Sequence, residues 1–81
     1  MDNIESKIYN ILEVIQPGCS AKIKPADDLF ALGVLDSFGM LSYIESLETE
    51  FGVQIPTEEL IPQNFWSVEA SRKTIEKLKN G

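Results

Sequence analysis

Three stretches of this chain place their large apolar residues at helical spacing, and that pattern limits the possible folds more than any other feature. Ile4, Ile8, Ile11, Leu12 and Ile15 form the first stripe, and Met40, Tyr43, Ile44, Leu47 and Phe51 the second. Val68, Ile75 and Leu78 form the third, with Ser71 facing inward in the same register. Asp2 with Glu5 has the form of a capping box and Pro17-Gly18 stops the pattern, so the first helix covers about 3–16. The second covers about 37–52 and ends at Gly52. Pro56 biases Ile55 toward an extended conformation, which makes Val53-Gln54-Ile55-Pro56 a connector. Thr57-Glu58-Glu59-Leu60 reads as a capped short third helix ended by Pro62, and Ser67 as the cap of a last helix over about 67–79. Phe65 and Trp66 are expected to plug the end of the bundle. The predicted fold is all-α: a small four-helix bundle of three longer helices and one short helix, forming a single domain over residues 1–81.

A long connection, residues 17–36, joins helices one and two. Its second half carries Leu29, Phe30, Leu32, Val34 and Leu35, more large apolar side chains than a solvated loop holds. The segment is therefore expected to be ordered, to pack back across the helices, and to form a short helical turn before Gly33. Asp36 and Ser37, which follow it, are then held at a defined place.

Composition removes several functions. The chain has no histidine, hence neither the commonest general base nor the commonest metal ligand. A single cysteine, Cys19, excludes an internal disulfide and a cysteine-cage zinc site, and reads as a small loop residue. An 81-residue chain is also too small to wall off a deep substrate cavity. No catalytic residue and no metal site is expected, so the chain is read as a non-enzyme. Residues 1–69 carry three lysines against twelve acids, a balance of −9, while residues 70–81 carry four cations against one acid, +3. An acidic body disfavours nucleic acid and favours protein partners with basic docking surfaces. The basic end fits a helix C-terminus. The start of the chain is polar and acidic, and no apolar run approaches a membrane span. A monomer in the cytoplasm, not inserted in a membrane, is expected.

The sharpest local feature is Gly33-Val34-Leu35-Asp36-Ser37-Phe38-Gly39-Met40-Leu41. From the residues alone, an ordered apolar loop delivers a serine hydroxyl to the start of a helix, where free N–H groups and the dipole favour an attached anion. With no histidine to activate it, Ser37 suits modification by another enzyme; equally, Asp-Ser is an everyday helix cap. The segment resembles the attachment signature of the acyl carrier protein superfamily. So do the Asp28-Leu29-Phe30 loop, the helix end Glu50-Phe51-Gly52 and Val53-Gln54-Ile55-Pro56. Phe38, Gly39 and Ser42 depart from the fatty-acid carriers and bring the chain closer to D-alanyl carrier proteins and other stand-alone aminoacyl carriers.

The resemblance implies a carrier that holds an acyl or aminoacyl group as a thioester on 4′-phosphopantetheine, attached at Ser37. It implies as partners a phosphopantetheinyl transferase, a loading ligase, and a downstream acyltransferase or condensing enzyme. Asp36, Phe38, Leu41, Glu45 and Glu48 are the expected docking residues. Bulky Trp66, Phe30, Phe51 and Tyr43 in a small core point to a short or polar cargo. Two rival readings stand beside this one: a fatty-acid-type carrier, and a helical interaction module in which Ser37 is only a cap.

Overall fold

A computed structural model describes residues 3–80; the capping box expected at Asp2 lies outside them. Helix α1 spans Asn3–Ile15, α2 Ser37–Phe51, α3 Pro62–Phe65 and α4 Val68–Asn80, with a 3-10 turn at Thr57–Glu59 before α3. No strand occurs among the described residues. None of their helices is long and apolar enough to cross a membrane. This is the expected bundle of three longer helices and one short one, measuring 32 × 28 × 20 Å. Helix α1 packs on both α2 and α4, and α3 packs on α4.

The three stripes meet in one core. Ile8, Ile11 and Leu12 from α1, Tyr43 and Leu47 from α2, and Val68 and Ile75 from α4 are buried together. Met40, Ile44 and Phe51 sit at its edge, partly buried. A buried hydrogen-bond chain joins α2 to α4. The Tyr43 hydroxyl donates to Ser71 Oγ at 2.6 Å, and Ser71 Oγ donates to the Ser67 carbonyl at 2.8 Å. Ser67 also caps α4, its Oγ accepting the Ala70 N–H at 3.0 Å.

The 17–36 connection packs inward as its composition requires. Ile23, Leu29, Val34 and Leu35 are buried, each contributing about 1.5–3 kcal/mol of hydrophobic stabilisation. Asp28 Oδ1 accepts the N–H groups of Phe30 and Ala31 at 3.0 and 3.1 Å, opening the helical turn expected before Gly33. The Leu29 carbonyl closes that turn by accepting from both Val34 and Leu35. Two bonds fasten the connection to the far side of the bundle: Leu29 N–H to the Trp66 carbonyl and Glu69 N–H to the Pro25 carbonyl, both 2.8 Å. At its start Gly18 takes φ +90°, a conformation suited to glycine. The Glu13 carboxylate there accepts the Gly18 N–H, the Ser20 N–H at 3.2 Å and the Ser20 hydroxyl at 2.6 Å.

Several expectations need correction. The short helix begins at Pro62 instead of ending before it, because a proline at the first helical position loses no hydrogen bond and has its φ preset. Residues 57–59 make only a 3-10 turn, without a side-chain cap. Phe65 is fully buried, but Trp66 remains 37% exposed and is not one of the buried core residues; its carbonyl accepts the Leu29 N–H at 2.8 Å. Leu32 is 52% exposed and is not among the loop residues that pack inward. Cys19 is a core residue, its thiol donating to the Leu12 carbonyl at 3.3 Å, and burial pushes its pKa up.

Candidate functional site

The start of α2 is built by the residues on either side of it. Val34 and Leu35 are buried, which anchors the chain up to Asp36. Asp36 itself is extended (φ −129°, ψ −170°) and caps the helix, its Oδ1 accepting the Gly39 N–H at 2.7 Å. Its carbonyl accepts the Met40 N–H at 2.8 Å, the first bond of the helix. Ser37 is the first helical residue and is exposed. The N–H groups of Ser37 and Phe38, and the Ser37 hydroxyl, make no hydrogen bond among the described residues.

Gly39 explains why the cap is so close. A Cβ at this position would lie 3.2 Å from Asp36 Oδ1 and 3.8 Å from Leu35 Cδ2, so a side chain would press on the capping carboxylate. In the sequence Gly39 stands out only as a departure from the fatty-acid carriers. The signal for its role was the Asp-x-x-Gly spacing, which puts glycine where the capping carboxylate receives its hydrogen bond.

Phe38 and Leu41 flank Ser37 and are 82% and 64% exposed. A surface pair of large apolar side chains beside a free hydroxyl has no structural reason in the isolated molecule. Glu45, two turns further along, is also exposed. Asp36, Ser37, Phe38, Leu41 and Glu45 therefore share the outer surface of α2. Glu48 is placed differently: it is half-buried, and its Oε2 accepts the Ile55 N–H at 2.9 Å, tying the connector after Gly52 back to the helix.

The arrangement offers an exposed hydroxyl with no histidine beside it. No histidine exists in the chain, and the carboxylate next to Ser37 in sequence, Asp36, is turned onto the Gly39 N–H. Among the described residues no group of histidine, cysteine and acidic side chains is placed to hold a metal ion. A phosphodiester on Ser37 fits the site. The hydroxyl faces solvent, and two unpaired N–H groups at a helix start favour an anion by about 0.3–1 kcal/mol.

Residues 11–64 match the family described as the phosphopantetheine attachment site. The aminoacyl carrier protein 2 of Bradyrhizobium diazoefficiens is 31% identical over 75 residues, covering 90% of this chain and 83% of that protein. The fold is similar to a chain in the crystal structure of Bradyrhizobium japonicum glycine:[carrier protein] ligase complexed with glycylated carrier protein. The TM-score is 0.80 at 30% identity, over 90% of this chain and 99% of that one.

Proposed function

We infer the function of this chain from its kinship, for it belongs to the phosphopantetheine attachment site family and thereby to the acyl carrier protein superfamily. It is a carrier of acyl or aminoacyl groups, and its cofactor is covalent 4′-phosphopantetheine. When attached, that group supplies a terminal thiol on which the cargo is held as a thioester.

The attachment residue is Ser37. The observation that carries this assignment is the free, exposed hydroxyl at the first position of α2, held there by the Asp36 cap and the buried Val34 and Leu35. No histidine is present and Asp36 is engaged as the helix cap, so a separate transferase deprotonates the hydroxyl, and this protein presents it. In this reading the protein is a shuttle without catalysis of its own, working in the cytoplasm.

The cargo is a small amino acid and the loading partner is an aminoacyl ligase, as supported by the glycylated carrier in the similar complex. An acyltransferase or condensing enzyme removes it. Partners meet the outer face of α2, where Phe38 and Leu41 supply apolar contact and Asp36 and Glu45 the charge. Glu48 contributes indirectly, by holding the connector through Ile55.

The test is loading of the holo protein by glycine:[carrier protein] ligase with ATP and glycine, read by intact mass. A single glycyl addition that hydroxylamine removes is the expected result. Failure to accept glycine or any other amino acid, with efficient loading of fatty acyl groups by an acyl ligase, would overturn the aminoacyl assignment.

A further inference from the structure

We propose that the recess between the end of α1 and the loop before α2 is the resting seat of the phosphopantetheine arm. The recess measures about 270 Å³ and is lined by residues 16–19, by Lys22 and Ile23, and by Leu32 and Val34. No residue of α2 lines it, so it is separate from the face assigned to partners. Its two sides are fixed. On one, the Glu13 carboxylate accepts the Gly18 N–H, and the Cys19 thiol donates to the Leu12 carbonyl at 3.3 Å. On the other, Gly33 takes φ +77°, which a side chain disfavours, and the Val34 N–H donates to the Leu29 carbonyl at 2.9 Å. The reversal at Gly33 buries Val34 and leaves Leu32 52% exposed, an apolar side chain that lines the recess yet stays open to solvent.

Reach and chemistry identify the occupant. Val34 is three residues from Ser37, so their backbones lie within about 11 Å of each other. The arm has a backbone equivalent to five or six residues and spans about 20 Å, enough to cross that distance and enter. Beyond its phosphate the arm is uncharged, alternating methylenes with amide groups. The recess matches this with apolar Ile23, Leu32 and Val34 beside Gln16 and Lys22, whose side chains donate to amide carbonyls. Lys22 is exposed and forms no ion pair among the described residues, which leaves its ammonium to donate.

Other occupants fit less well. The volume is below the roughly 300–1,000 Å³ that encloses a whole drug-sized ligand, so the end of a short chain fits and a long acyl chain does not. A single cation in the lining offers too little charge for a membrane surface or a nucleic acid. A tethered occupant, by contrast, needs little affinity, because attachment at Ser37 holds the end of the arm at an effective concentration of about millimolar. Seated there, the arm's thiol is screened from solvent between loadings. The inference rests on Ser37 as the attachment residue.

The experiment uses ¹³C,¹⁵N-labelled protein carrying an unlabelled arm transferred from coenzyme A, with attachment at Ser37 checked by mass spectrometry. The expected result is isotope-filtered NOEs from the arm to the methyl groups of Ile23, Leu32 and Val34, with amide shift changes at Gly18, Cys19 and Lys22 relative to the apo protein. Leu32→Ser should weaken those NOEs and speed iodoacetamide alkylation of the arm's thiol about threefold. It should leave Tm nearly unchanged, since Leu32 is half exposed. With the arm on Ser37, NOEs confined to α2 and α3, absence of any NOE, or equal alkylation rates would each overturn this inference and leave the attachment reading intact. No arm on Ser37 would overturn both.

Discussion

Truncating Phe38 to alanine should leave stability within about 0.5 kcal/mol of the parent, because a side chain 82% exposed loses little on removal. If partners use it as an apolar anchor, its loss raises KM for loading about tenfold and leaves kcat nearly unchanged. Steady-state loading kinetics on the holo variant check this, and an unchanged KM would remove Phe38 from the docking surface. Ser71 tests the opposite situation. Ser71→Ala strands the buried Tyr43 hydroxyl and should cost about 1–3 kcal/mol. Tyr43→Phe leaves Ser71 still bonded to the Ser67 carbonyl and should cost about 1 kcal/mol. Urea denaturation of both variants ranks them, and the reverse order would contradict the hydrogen-bond chain. Residue identity made Ser37 and its cap legible in the sequence. It did not make Glu48 legible, because an acid on a helix reads as solvated until the partner seven residues on, Ile55, is brought beside it.

At the scale of elements, the turn after α1 depends on one carboxylate. Hydrogen bonds from the Ser20 hydroxyl, and then from the Gly18 and Ser20 N–H groups, hold the Glu13 carboxyl below its ordinary value. A lowered folded-state pKa gives stability that is present above the unfolded value, near 4.5, and lost as pH falls through the folded one. Glu13→Gln should therefore flatten the acid limb of the stability–pH profile and speed amide exchange at Gly18 and Ser20. Exchange rates equal to those of the parent would show that the clamp does not order the turn. The three long helices were legible because each repeats its inward-facing spacing over about three turns. The short helix was displaced because proline both starts and stops helices, and only the backbone before it, extended at Ile61, decides which. Hydrophobicity alone assigns Leu32 and Trp66 to the core. A single apolar residue in an irregular segment carries no periodicity to fix its direction.

For the whole molecule, size and charge bound the function before any site does. The bundle measures 32 × 28 × 20 Å, has a net charge of −6 and no histidine, and belongs to a family that carries groups on phosphopantetheine. Most of the described acids serve the fold through ion pairs and backbone hydrogen bonds, whereas Glu45 on α2 makes neither and shares an exposed surface with Phe38 and Leu41. All of this converges on the hydroxyl that α2 begins with. The central claim is that Ser37 bears the phosphopantetheine arm. The most direct measurement is tandem mass spectrometry after incubating the protein with coenzyme A and a broad-specificity phosphopantetheinyl transferase. One arm, mapped to Ser37 and missing from Ser37→Ala, is the result expected. An arm mapped elsewhere, or the same mass increase on Ser37→Ala, would contradict it.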